Sequence, residues 1–333
     1  MILVTGGAGY IGSHCVLSLL KNGEKVVIFD NLSTGHIETI QKLSKFGDLE
    51  FIQGDLRNTS DIKKVFEAYN ISSVIHFAAL SLVGESMNNP QKYYLNNVYG
   101  SINLLNTMID YDVKKIVFSS TAATYGEPQY SPIDENHPQN PINPYGQTKL
   151  IIEKIMDDYD KAYGLKSVRL RYFNVAGANP EAIIGEWHNI ETHLIPNILK
   201  STFNSTKTFE IFGEDYPTKD GTCVRDYINI EDLIDAHLLA LEYLNKGGDT
   251  NYFNLGTKDG NTVKEVFQIC ENICNQAIPV KISPRRLGDP SCLVADNSKA
   301  KNILNWTPKR TLEDSIKSAY GWEKTLQAME IRC

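Results

Sequence analysis

Tyr145 and Lys149 stand four residues apart in "PYGQTKLIIEKIMDDYDKAYG", a stretch that reads as the start of a long helix after a proline-rich loop. On a helix this spacing puts a phenol and an ammonium on one face, one turn apart. The ammonium favours the phenolate, which turns a weak acid of pKa about 10 into a usable base. The same spacing recurs at Tyr111/Lys115 and Tyr320/Lys324, and context separates the three. Tyr111 and Lys115 run straight into an apolar strand, so they cannot share a helix face. Tyr320 and Lys324 lie near the C-terminus, remote in sequence from the glycine-rich stretch at the other end. Only Tyr145/Lys149 follows a strand that ends in hydroxyls, "KIVFSST", with Thr121 last. A base, its electrostatic partner and a hydrogen-bonding hydroxyl are the parts of a proton-abstracting site.

A second constellation opens the chain. "VTGGAGYIGSH" places Gly6, Gly7, Gly9 and Gly12 between an apolar strand and a helical pattern, satisfying both G-x-G-x-x-G from Gly7 and G-x-x-G-x-x-G from Gly6. Glycine lets the backbone turn sharply and lets a pyrophosphate approach both the backbone and a helix N-terminus, whose free N–H groups favour anions. The next strand ends at Asp30, 18 residues past Gly12, near the offset expected of the carboxylate that binds the adenosine ribose. A carboxylate accepts both ribose hydroxyls and repels a 2′-phosphate. No arginine follows in "DNLSTG", so the expected cofactor is NAD rather than NADP.

These residues need a frame to hold them. Short β-branched runs at 2–5, 25–29, 49–53, 73–77, 115–119 and 167–173 alternate with helical patterns, the signature of βαβ units and a parallel sheet. Their nearly continuous apolar character implies helices on both faces. The expected fold class is α/β: a Rossmann-type doubly wound parallel sheet with a smaller C-terminal α/β substrate domain. After about residue 175 the rhythm breaks into Gly-, Pro-, Asp- and Asn-rich loops. The expected division is a cofactor domain over 1–175, with a later segment near 225–256 returning to it, and a substrate domain over 176–333 that closes a cleft.

Composition narrows the partners. The formal charge is −7, with no Lys/Arg block long enough to trace a phosphate backbone, which argues against nucleic acid. The six cysteines are scattered without a CxxC pair and read as reduced thiols. Cys270 and Cys274, one turn apart, read as a buried helix face rather than a metal pair. His188 and His193 read as satisfied or solvated histidines that lack a nearby third ligand. The chain opens directly into a strand, without a secretory pattern, and has no run of about 18 apolar residues. The expectation is a cytoplasmic protein with no membrane partner and no metal.

The motifs also carry a resemblance. "TGGAGYIGSH", "DNLSTG", "GDLRN", "VIHFAA", "VGES", "YYLNNVYG", "SSTAATYG", "PYGQTK", "RYFNVAGA", "DYPTKDGTCVRDYI" and "PRRLGDP", in that order, resemble the UDP-glucose 4-epimerases of the extended short-chain dehydrogenase/reductase superfamily over nearly the whole chain. The resemblance implies that Tyr145 is the base for the sugar 4-hydroxyl, Lys149 its electrostatic partner and a nicotinamide-ribose ligand, and Thr121 the hydrogen-bonding hydroxyl. It implies NAD contacts from Gly6, Gly9, Tyr10, Ile11 and Gly12 at the pyrophosphate, Asp30 and Asn31 at the ribose, and Asp55 and Leu56 beside adenine. Phe77, Ala78, Ala79, Asn96 and Phe173 complete that set. For a UDP-sugar substrate it implies Asn174, Leu194, Phe212, Arg225, Arg286, Asp289 and Leu293, with the arginine forks matched to a diphosphate. It further implies a homodimer built on the helices around 92–110 and 145–163. Two positions depart from some relatives: Ser81 stands where they carry a lysine near the cofactor, and Leu293 occupies the position whose bulk gates N-acetylated sugars.

Sugar-nucleotide dehydratases of the same superfamily carry Asp-Glu after the threonine, because removing water from C5–C6 needs an acid and a base beyond the tyrosine. Here Ala122 and Ala123 stand there. Interconversion of UDP-galactose and UDP-glucose through a 4-keto sugar requires neither, and is the expected activity. The alternatives are a UDP-N-acetylglucosamine 4-epimerase or another epimerase or dehydratase of the superfamily, an oxidoreductase that releases NADH, and a dinucleotide sensor without chemistry.

Overall fold

The computed structural model describes residues 1–203, 208–285 and 289–330. At its centre is an all-parallel sheet of seven strands: β1 (Ile2–Thr5), β2 (Val26–Asp30), β3 (Leu49–Gln53), β4 (Ser73–His76), β5 (Lys115–Thr121), β6 (Lys166–Tyr172) and β7 (Asn251–Leu255). Their spatial order is β7-β6-β5-β4-β1-β2-β3. The order reverses beside β1, so the loops leaving β1 and β4 part and open a crevice at the carboxyl ends of the strands. Gly6 and Phe77 follow directly on those two strands.

Alternation along each strand explains the unbroken apolar runs. Ile2 and Val4 of β1 and Val26 and Ile28 of β2 enter one hydrophobic cluster, under α1 (Tyr10–Lys21). Leu3, Val27 and Phe29 point to the opposite cluster, which is covered by α2 (Thr59–Ala68), α3 (Gly100–Asp110) and α4 (Pro144–Tyr163). A strand buried on both faces has no polar side to show. Past residue 225 the chain returns to the sheet. Helix α6 (Ile230–Asn245) joins α1 over the first cluster, and β7 pairs with β6, setting Phe253 opposite Leu170.

A third cluster lies beside the carboxyl edge, among α5 (Leu194–Phe203), α7 (Val263–Cys274) and α8 (Leu312–Glu330). Cys270 is wholly buried in it and Cys274 packs against it, as a helix face should. Among the described residues the five cysteines form no disulfide. Two short parallel strand pairs, Asn174–Ala176 with Tyr227–Asn229 and Phe209–Phe212 with Val280–Ser283, and a small sheet of Asn261–Thr262, Val224–Arg225 and Cys292–Leu293 complete this part. Among the described residues no helix is long and apolar enough to cross a membrane.

Candidate active site

The glycine-rich turn is as tight as its sequence suggests. Gly6 adopts φ +72°, and a Cβ there would lie 2.6 Å from the Ala78 nitrogen, while a Cβ on Gly12 would collide with the Gly6 carbonyl. Helix α1 starts at Tyr10 with Gly9 as its cap and no side chain bonding its first N–H groups. Those groups face the cleft with the positive end of the helix dipole behind them. Tyr10 offers backbone and ring there, because its hydroxyl donates to the Gly177 carbonyl at 2.5 Å. At the end of β2 the buried Asp30 accepts the N–H groups of Leu32 (2.8 Å) and Ala8 (3.0 Å); burial pushes its carboxyl up and these bonds oppose that. Asn31 donates to Asp55 at 3.0 Å. Arg57 grips Asp55 with two bonds and holds its carboxyl well below the usual range. A glycine cradle at a helix N-terminus, followed by a lining carboxylate, fits a dinucleotide with a free ribose diol.

At the reactive end, Asn143 caps α4 by accepting the Gly146 N–H at 2.8 Å, and Pro144 occupies the first turn. The helix therefore begins at Pro144 and sets Tyr145 in its first turn. Gly146 is required by close approach: a Cβ there would collide with the Ala123 carbonyl. Thr121 ends β5, and its Oγ1 accepts the Ala123 N–H at 3.1 Å, which fixes the turn Ala122–Thr124. The Thr121 hydroxyl acts on the Tyr145 phenol to favour its anion. Lys149 is buried and donates to the Ser119 carbonyl at 2.7 Å.

The electrostatics differ from the sequence expectation. Desolvation raises the Tyr145 phenol above its ordinary value, with the Thr121 hydroxyl opposing, and burial lowers Lys149 to about 7. The fall in phenol pKa expected from Lys149 is absent in the protein alone, because the ammonium is anchored on a backbone carbonyl and is itself costly to charge. The other Tyr/Lys pairs lie elsewhere. Tyr111 closes α3 and bonds Glu67, and Lys324 sits over the Tyr320 ring on α8.

One layer beneath this end lies a network that the motifs did not reveal. Glu153, a further turn along α4, is buried with Arg171 of β6 in a two-toothed ion pair and accepts Ser120 Oγ at 2.5 Å. Arg171 also reaches the Tyr125 hydroxyl at 2.9 Å, and Tyr125 donates to Asn254 of β7 at 2.6 Å. Burial pushes the Glu153 carboxyl up, but the guanidinium overcomes this and keeps it ionised. The i, i+4, i+8 spacing of Tyr145, Lys149 and Glu153 was the available signal.

The cleft has a volume of about 1140 Å³. Every cofactor and substrate candidate named from the sequence lines it, save Arg286, which lies outside the described residues. On the substrate side, Arg225 is held by the carbonyls of Val224 (2.7 Å) and Pro290 (2.9 Å) and pairs with Asp289. Leu293 is half-buried beside it in sheet register. Ser81 is exposed on the cleft rim.

His188 and His193 are paired with carboxylates, in keeping with satisfied histidines, but, contrary to the reading of the sequence, further potential ligands lie beside them in Glu186 and Glu191. The loop between Gly185 and Leu194 folds Glu186 and Glu191 against both rings, with His193 Nδ1 2.7 Å from Glu186 and 2.8 Å from Glu191. Burial would depress both imidazoles, but the two carboxylates push them up, to about 9 for His188 and about 10 for His193. The acids were visible in "GEWHNIETH", but only the loop's return brings them to the rings.

With this geometry in view, the chain was compared with known proteins. A family model described as GDP-mannose 4,6 dehydratase matches residues 3–319. A UDP-glucose 4-epimerase of Halalkalibacterium halodurans is 51% identical over 97% of this chain and 95% of its own length. The crystal structure of UDP-glucose 4-epimerase from Brucella ovis in complex with NAD superposes with a TM-score of 0.92 at 43% identity, covering 96% of this chain and 97% of that one. The corresponding Bifidobacterium longum enzyme, in complex with NAD+ and UDP, gives 0.92 at 38% identity, covering 97% and 98%.

Proposed function

The chain belongs to the UDP-glucose 4-epimerase family, and we propose that it interconverts UDP-galactose and UDP-glucose by reversible oxidation at sugar C4. NAD, when bound, supplies the hydride acceptor and donor for that carbon. The observation that carries the reading is the meeting of Thr121, Tyr145 and Lys149 in one cleft that is also lined by the glycine-rich dinucleotide cradle.

Within this reading Tyr145 takes the proton of the 4-hydroxyl and later returns it. Thr121 can donate to the phenolate because its oxygen is already oriented by the Ala123 N–H. The phenolate needs nearby positive charge, and Lys149 stands one turn away to provide it. Gly6, Gly9 and Gly12 with the start of α1 bind the pyrophosphate, and Asp30 the ribose. Arg225 binds the substrate diphosphate while Asp289 holds its guanidinium in place. Residues 1–175 with the returning strand and helix form the cofactor domain, and the remainder holds the nucleotide sugar. Ala122 and Ala123 leave no acid–base pair for dehydration, which favours epimerisation over the chemistry in the family model's description. The half-buried bulk of Leu293 favours unacetylated sugars. A homodimer built on the helices around 92–110 and 145–163 is the assembly inferred.

One experiment tests the reading. With NAD supplied, UDP-galactose incubated in D₂O should yield UDP-glucose without carbon-bound deuterium after hydroxyl back-exchange, since the C4 hydrogen never meets solvent. A product one mass unit heavier in the sugar, or a dehydrated 4-keto-6-deoxy product, would overturn it. UDP-N-acetylgalactosamine in parallel should turn over poorly.

A further inference from the structure

We propose that Glu186, His188, Glu191 and His193 form a closed, four-ligand site for a divalent transition-metal ion, zinc foremost. One ligand atom from each of the four lies within 4.8 Å of all the others. The donors are two imidazole nitrogens and two carboxylate oxygens. Hard cations such as magnesium and calcium prefer all-oxygen shells, whereas an N₂O₂ set suits a borderline ion. Binding an ion here displaces the protons that the two carboxylates otherwise hold on the imidazoles; the two carboxylates and two neutral imidazoles then carry a net charge of −2, which one divalent ion cancels.

The positions of the unpartnered atoms favour an ion over a simple ion-pair cluster. Glu191 Oε1 is fully engaged: it accepts the N–H groups of Thr192 and His193, each at 2.8 Å, and faces His193 Nδ1. Its Oε2 has no hydrogen-bond partner, although the Glu191 side chain is only 5% exposed. His188 Nδ1 has none either. These two atoms face each other at 3.4 Å, and His188 Nδ1 stands 3.4 Å from Glu186 Oε1. Bonds of about 2.0–2.1 Å in a tetrahedral zinc site put neighbouring ligands roughly 3.3–3.4 Å apart, which both of these separations match, while all four ligand atoms lie within 4.8 Å of one another. The His193 edges are shorter, and the ring, 47% exposed, is free to back away by about half an ångström to complete such a shell.

The site lies in a wall of the cleft, where Glu186, His188 and His193 all line it. Next to it, Trp187 stacks on His36 at 3.7 Å and its carbonyl bonds the His36 ring, tying the loop to the chain just beyond β2. The Glu186 carbonyl accepts the Trp322 indole of α8 at 2.8 Å, and Leu194 begins α5. An ion here joins the cofactor side of the wall to the substrate side. With all four positions filled by protein it is structural, not catalytic.

The test is made on the full-length protein with bound NAD. After equilibration with ZnCl₂ and dialysis, elemental analysis should find about one zinc per chain in the wild type and under a tenth of that in Glu191→Gln and His188→Gln, with the thermal midpoint raised by zinc only in the wild type. Wild-type protein without stoichiometric zinc, or variants that retain it equally, would overturn the proposal. Should the variants fail to fold, anomalous scattering at the zinc edge from wild-type crystals decides. A peak bonded to all four side chains supports the site, and a peak on cysteine sulfur or no peak refutes it.

Discussion

Tyr145 and Lys149 each sit where the charged form is unfavourable, and the proposed reaction needs both charges. Tyr145→Phe should leave folding and NAD binding intact while lowering turnover of UDP-galactose by about 10²–10⁴-fold, the usual contribution of a general base; steady-state kinetics beside a cofactor-binding isotherm checks this. Lys149 carries a second, thermodynamic signature. Its pKa in the folded protein, about 7, lies below its ordinary 10.5, so between those values the unfolded chain binds more protons than the folded one and stability rises with pH. The cost of burying the ammonium is therefore complete below about pH 7 and gone above about 10.5. In cofactor-depleted protein, Lys149→Met should unfold at higher urea than wild type at pH 7, with the gap closing towards pH 10. A gap that widens with pH would contradict the burial argument.

Helix α4 and strands β5 and β6 act as one mount for these groups. The Glu153–Arg171 pair is buried on both sides, at 3% and 4% side-chain exposure, and links the helix that carries Tyr145 to β6, the strand paired with the end of β5 that carries Thr121. Removing one partner strands a buried charge, so Arg171→Met should cost about 3–5 kcal/mol, measured by chemical denaturation. Adding Glu153→Leu should recover part of that loss, because no charge is then left unpaired. The start of α4 was legible from Asn143-Pro144 and the apolar periodicity that follows. The Glu153–Arg171 pair was not, since its members lie on different elements and meet only when β6 takes its place beside β5.

At the scale of the molecule, the segment from Val83 to Tyr99 leaves Val83, Met87, Leu95 and Tyr99 between 45% and 58% exposed, a concentration of exposed apolar side chains that a partner surface would cover. The inferred homodimer would cover it. The purified protein should run as a dimer in light scattering, and Leu95→Asp should shift it to monomer by placing a charge in the contact. A monomeric wild type at micromolar concentration would remove this inference.

Local sequence determined the strands, the glycine turn, the helix that opens at Pro144, and the residue types that a dinucleotide and a proton transfer demand. Each rests on short-range physics: periodicity, capping and the conformational freedom of glycine. Tertiary structure alone decided that Lys149 is anchored on Ser119 and that Glu153 meets Arg171. It also decided that the acids of "GEWHNIETH" close around His188 and His193. Those facts depend on where separate segments come to rest and on how much water is left around them, and neither is encoded in the spacing of residues along one element.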